Sequence, residues 1–176
     1  GQLATLDDYL EVRPEAEPRV RRLVEEGRLA IGPWQVLMDE FLVSGETILR
    51  NLEYGLRRGE ELGGAMRVGY LPDMFGHIAQ MPQILRLAGI EQAVVWRGVP
   101  AAIESHAFEW EAPDGSTVRT EYLPHGYQNA ATLLDVPGRL GRRLAAVRES
   151  HREFFGDDPV LAMFGTDHME PLPQLT

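Results

Sequence analysis

Four short segments carry the side chains that could do chemistry. They are Trp34 to Glu40, with Asp39 and Glu40; Pro72 to His77, with Asp73 and His77; Trp96-Arg97; and Gly165 to His168, with Asp167 and His168. Each follows a short apolar run that reads as a strand. In parallel α/β proteins the working residues gather in loops at the carboxyl ends of strands, so all four segments are placed to meet. Three of them present carboxylates and the fourth presents an arginine. Two carboxylates on different strand ends are what glycoside hydrolysis requires, one to attack the sugar carbon and one to protonate the leaving oxygen. Each residue also has a plainer reading. A Pro-Asp pair commonly makes a turn, Asp167 could cap a helical turn, and His77 and His168 could be structural. Trp34 and Trp96 read as core rather than as sugar platforms. Asp167 and His168 point to opposite sides if the strand runs through them, so only a loop turns both toward one site.

Composition narrows the chemistry. The chain has 176 residues, 44% apolar and 25% charged, ordinary for one soluble globular domain. It has no cysteine, which excludes thiolate nucleophiles, disulfides and Cys-ligated zinc, so any metal must be held by His, Asp or Glu. The net charge is −10, all 17 basic residues are arginine, and no basic cluster appears. Nucleic acid and anionic membrane surfaces are therefore poor partners. No apolar run approaches the roughly 20 residues of a membrane span, and no secretory pattern follows Gly1. The lack of cysteine fits a reducing compartment, and the expected location is cytoplasmic.

The elements that must position these residues follow from pattern. Helices are expected over 6–12 and 15–26, interrupted at Pro14 and stopped at Gly27. Ser44 caps a strong helix carrying Ile48, Leu49, Leu52, Leu56 and Leu62 at helical spacing, ended by Gly63-Gly64. Further helices are expected over 80–87 and 135–149. Parallel strands are predicted near 28–33, 66–71, 92–96 and 160–164, the third a continuous β-branched run of the buried type. Pro113-Asp114-Gly115 marks a hairpin turn. The alternation gives an α/β fold with a mostly parallel sheet. No closing helix follows the last predicted strand, so the chain reads as an interior piece of a larger domain, truncated at both ends.

Several of these segments resemble one family. IGPWQVLMDEFLVSGETILRNL (Ile31 to Leu52), VGYLPDMFGHIAQMPQIL (Val68 to Leu85), AVVWRGV (Ala93 to Val99) and FGTDHMEP (Phe164 to Pro171) are similar, in order and approximate spacing, to glycoside hydrolase family 38. These are the retaining, zinc-dependent α-mannosidases, and the likeness is to their bacterial and cytosolic-type branch. The resemblance implies an incomplete seven-stranded α/β barrel, with 1–176 as a partial N-terminal catalytic domain. It implies hydrolysis of terminal α-mannosyl residues of oligosaccharides, with retention, through a covalent mannosyl-enzyme.

It also implies roles. Asp73, in the Pro-Asp-x-Phe-Gly-His element, matches the nucleophile, which is also a zinc ligand. Phe75 borders the sugar and Arg97 lies near the nucleophile. Asp167 aligns with the general acid/base, which must be protonated when the leaving group departs. His77 orients the loop or a ligand from behind. The family's His-x-Asp pair and its His-His-Asp segment, which supply the other zinc ligands, have no counterpart between Gly1 and Thr176. The chain by itself is therefore expected to be inert and to hold zinc poorly. Two other readings stand beside this one. A metal-dependent polysaccharide deacetylase would need a His-x-x-x-His pair, and histidines 77, 106, 125, 151 and 168 offer none. A non-catalytic carbohydrate-binding or interaction module retaining the barrel fold remains open.

Overall fold

The short run Gln92–Val95, ending in two valines, lies inside the sheet as strand β2, with a parallel neighbour on either side. The computed structural model describes residues 2–136, 138–170 and 172. In chain order the strands are β1 (Gly69–Leu71), β2 (Gln92–Val95), β3 (Ala107–Glu111) and β4 (Thr117–Tyr122). They form one sheet ordered β1-β2-β4-β3. Tyr70 pairs with Val94, Val94 pairs with Glu121, and both ladders are parallel. β3 returns antiparallel on β4 through the Pro113-Asp114-Gly115 turn, so the sheet is mixed and has four strands.

The helices are α1 (Leu3–Val12), α2 (Glu17–Glu25), α3 (Gly45–Glu61), α4 (Met81–Leu87) and α5 (Leu140–Phe155), with a 3₁₀ turn at Pro14–Ala16. Ser44 caps α3 as expected, its Oγ accepting from the Thr47 amide at 3.1 Å. The apolar stripe of α3, through Ile48 and Leu52, and the stripe of α4, through Met81 and Leu85, close over Leu71, Val95 and Val118 of the sheet. Trp34 joins this core and donates its indole N–H to the Tyr70 carbonyl at 2.9 Å. A smaller apolar cluster, Leu3, Leu10, Val20, Ile31 and Leu62, seats α1 and α2 beside it.

Two predicted strands are absent. Residues 28–33 are irregular. Gly32 has φ 75° and Pro33 has no amide to donate, so the run cannot continue a ladder. Within the run the Ile31 carbonyl accepts from the Met66 amide at 2.7 Å, and past it the carbonyls of Trp34 and Gln35 receive the first amides of α1, Leu3 at 3.2 Å and Ala4 at 2.9 Å. Residues 160–164 are neither strand nor buried. Their hydrogen bonds run to a loop. Asn129 accepts from the Met163 amide at 2.7 Å and donates to the Leu161 carbonyl at 2.9 Å. The Ala130 amide adds a bond to the Met163 carbonyl at 2.9 Å. The last helix also starts later than predicted, at Leu140, because Pro137-Gly138 falls inside the span expected for it. A mixed four-stranded sheet is thus what the described residues form. Part of the polar tail expected after Gly165 (171 and 173–176) falls outside the described residues.

Candidate functional site

β1 and β2 are parallel neighbours, so the loops that leave them emerge side by side. After β1 the chain passes Pro72 and presents Asp73 between the buried side chains of Leu71 and Met74. After β2 it presents Trp96 and Arg97. The Arg97 guanidinium forms an ion pair with Asp73 Oδ1. Its central carbon lies over two aromatic rings, 3.8 Å from the Trp96 ring centre and 4.8 Å from that of Phe75. Phe75 itself is 71% exposed, so its outer face is open to a ligand. Asp73, Phe75 and Arg97, read separately from the sequence, are thus brought together.

His77 stands behind this group. Its Nδ1 lies 2.7 Å from Glu40 Oε1 and its Nε2 lies 2.9 Å from the backbone oxygen of Arg97. The second Glu40 oxygen accepts from the Ile78 amide at 2.8 Å. Gly98 makes the approach of the two loops possible. A Cβ there would lie 3.0 Å from the Gly76 backbone and 3.0 Å from the His77 ring, and its φ of 81° suits glycine. Glu40 was legible as a carboxylate in the first loop, but its burial was not.

Asp167 reaches the same end of the sheet by another route. β4 is parallel to β2, so the loop that follows it also opens on this side. That loop carries Tyr127, whose hydroxyl donates to Asp167 at 3.2 and 3.4 Å. The Tyr127 ring sits edge-on to Trp96 at 5.6 Å, and Gly126 leaves it room, since a Cβ there would lie 2.9 Å from the indole. Burial and the Asp167 carboxylate raise the Tyr127 pKa, while the Arg97 charge pulls it down. Tyr127 therefore feels both halves of the site. No direct hydrogen bond or ion pair joins Asp167 to Asp73 or Arg97 among the described residues. Sequence reasoning missed Tyr127, because β4 read as one arm of a hairpin and its far end was not counted as a strand end of the parallel set. Trp96 was read as core, yet it is half-exposed and forms the platform beneath Arg97.

The zinc implied by the resemblance is not matched by these residues. Asp73 is held by Arg97, and among the described residues no group of three or more His, Asp or Glu could hold a metal ion.

Carboxylates, an arginine and open aromatic faces at the carboxyl ends of parallel strands are the layout of a carbohydrate-processing α/β domain. The particular family is shown by similarity: residues 2–174 match the glycosyl hydrolases family 38 N-terminal domain, and the chain belongs to that family. It is 39% identical, over 96% of its length, to a protein named "Putative mannosylglycerate hydrolase" from Halalkalibacterium halodurans, of which it covers 20%. Human alpha-mannosidase 2C1 is 33% identical over 72% of the chain, which covers 13% of that protein. The crystal structure of an alpha-mannosidase from Enterococcus faecalis V583 superposes with a TM-score of 0.87 at 32% identity, over 96% of this chain and 20% of that one. The fold alone is shared with 4-alpha-glucanotransferase from Thermococcus litoralis, with a TM-score of 0.59 at 18% identity, over 90% of this chain and 24% of that one. The chain thus spans about a fifth or less of the length of these curated relatives. No helix among the described residues is long and apolar enough to cross a membrane.

Proposed function

We propose that this chain supplies both carboxylates of a retaining α-mannoside hydrolase acting on terminal α-mannosyl residues of oligosaccharides. The observation that carries this reading is Asp73 at the end of β1, gripped by Arg97 from the end of β2 between two aromatic faces, in a family 38 chain. The ion pair engages Asp73 Oδ1 and leaves Oδ2 to attack the anomeric carbon. As that bond forms, the bond to the leaving oxygen breaks, and the oxygen takes the proton carried by Asp167. A water then returns a proton to Asp167 and attacks the same carbon, releasing Asp73. Two inversions give net retention. Phe75 borders the sugar and His77 supports the loop. In the full-length protein the two carboxyl groups are expected about 5–5.5 Å apart.

The zinc assistance implied by the resemblance would need ligands besides Asp73. The 176-residue chain alone is therefore expected neither to bind zinc stoichiometrically nor to turn over mannosides. We place the full-length protein in the cytoplasm, in keeping with the absence of cysteine from these 176 residues. The name of the Halalkalibacterium relative favours a second choice of substrate within the same chemistry, an α-mannoside of glycerate. The deciding experiment assays the full-length protein on an aryl α-mannoside, an α-mannosyl oligosaccharide and mannosylglycerate, with the first anomer followed by NMR. A β-mannose first product, or no turnover of any of the three, rejects the proposal.

A further inference from the structure

Glu40 is the only carboxylate buried among the described residues, and its side chain has no exposure at all. Removing a carboxylate from water is costly unless its oxygens are engaged, and here both are, by His77 and by the Ile78 amide. His77 is itself only 8% exposed, and both of its ring nitrogens are engaged. A backbone carbonyl only accepts, so the nitrogen facing the Arg97 carbonyl carries a hydrogen. The other ring nitrogen faces the Glu40 carboxylate oxygen at 2.7 Å. Both side chains are saturated by these partners. They clamp three loops together, those containing Glu40, Ile78 and Arg97, and Trp110 closes the back edge-on to the imidazole at 5.0 Å.

We propose that Glu40 and His77 are a pair of positioning residues that aim Arg97 at Asp73 by holding the Arg97 backbone carbonyl. This rests on the reading of Asp73 as nucleophile. The lateral contacts of the Arg97 guanidinium are aromatic faces, which restrain its height but not its direction. Its direction comes from the Asp73 contact and from its own backbone, and the backbone is held by His77. Glu40 in turn fixes which way the imidazole faces.

The test is a double-mutant cycle in the full-length enzyme with an aryl α-mannoside. His77→Phe keeps a ring against Trp110 but removes both hydrogen bonds, and is expected to lower kcat about 100-fold, the cost of misplacing a working group by about 1 Å. KM should stay within about threefold, and adding His77→Phe to Arg97→Met should cost less than about threefold more, because the two act through one contact. Glu40→Gln should retain most of the activity that Glu40→Leu loses, since an amide can donate to Nδ1 while accepting from Ile78. Thermal unfolding confirms that each variant folds; if His77→Phe does not, His77→Gln takes its place in the cycle. A full 100-fold loss in the Arg97→Met background, or a Glu40→Gln variant as impaired as Glu40→Leu, overturns the proposal. Crystal structures of the full-length protein and the His77 variant give a readout independent of turnover. Arg97 should leave Asp73 in the variant, and an unmoved guanidinium sinks the idea. If the enzyme cleaves no α-mannoside, the functional reading fails, yet this structural comparison still decides the positioning role.

Discussion

The two halves of the candidate site are built differently. The Asp73 side is rigid by construction: strand ends in a parallel ladder, buried flanks at Leu71 and Met74, an arginine held from the side and from behind. The Asp167 side hangs on an irregular segment whose regular partners are one loop asparagine and one loop amide. Asp167 is exposed and is held by Tyr127, and its neighbour Thr166 by Gln128. A nucleophile must sit within bonding reach of one carbon, so its geometry is demanding. An acid must reach an oxygen whose position varies with the leaving group, and it tolerates a looser mount. On the roles proposed for Asp73 and Asp167, the difference in construction parallels the difference in task.

The largest effect that could break this comparison is expected from Asp73→Asn in the full-length enzyme. Loss of a nucleophile should lower kcat on the order of 10⁴-fold or more. Retention of a tenth of the activity would show that the rigid side is scaffolding rather than the reacting centre. Asp167→Asn is expected to cost less, roughly 10² to 10⁴-fold on an unactivated mannoside. The loss should shrink for an aryl leaving group that departs without a proton. An equal loss on both substrates would remove Asp167 from the acid's role.

The rigid side was also the legible side. The sequence placed Asp73, Phe75 and His77 after one predicted strand and Arg97 after another, because 66–71 and 92–96 read as short apolar runs followed by loops; that the two strands are neighbours is a property of the sheet. The Ser44 cap and the apolar stripe of α3 were equally plain. The failures share a cause, which is that pairing is not written in hydrophobicity. Residues 160–164 are as apolar as a buried strand, but their ladder partners are a side-chain amide and one backbone amide. Residues 28–33 are broken as a strand at Gly32-Pro33, although the Ile31 carbonyl still accepts from the Met66 amide at 2.7 Å. Tyr127 escaped notice because whether a hairpin arm also joins the parallel set depends on sheet order, a long-range property.

Because so little holds the Asp167 side, single contacts there should matter out of proportion. Asn129 makes two bonds to the 161–163 segment and one to His151, whose Nε2 lies 3.0 Å away. Burial lowers the His151 pKa, and its ring nitrogens are engaged by the Asn129 amide, which donates to Nε2, and by the Val147 carbonyl, which accepts from Nδ1. Asn129→Ala leaves a buried imidazole nitrogen and two backbone groups without partners. The expected loss is about 1–3 kcal/mol in urea unfolding. Hydrogen exchange should quicken at 161–168 and stay unchanged at 70–78. Equal quickening at both would mean the two sides are not independently mounted.

The smallest expected effect is a pH dependence confined to the looser side. His106, at the start of β3, lies between Glu121 of β4 at 2.8 Å and Asp158 beyond α5 at 3.2 Å, and its ring stacks on Phe155 at 4.2 Å. It ties the end of α5, and so the start of the segment leading to Asp167, to the sheet. Burial is the largest single influence on its pKa and acts downward. The hydrogen bonds to Glu121 and Asp158, with their charges, together outweigh it and raise the pKa above 6.5. A histidine whose folded pKa is raised binds its proton more tightly folded than unfolded, so its contribution is complete below the unfolded value and fades as pH rises through the folded one. Asp158 is 70% exposed, so the contribution should be at most about 1 kcal/mol. The stability difference between the wild-type protein and His106→Gln should thus be largest near about pH 6 and shrink toward about pH 9, a window set by the histidine's raised pKa. Hydrogen exchange corrected for intrinsic pH dependence should loosen around 155–163 over the same range, with no matching change at 70–78. A stability difference that grows with pH would reverse the sign of the coupling and show that His106 does not clasp this edge as a cation.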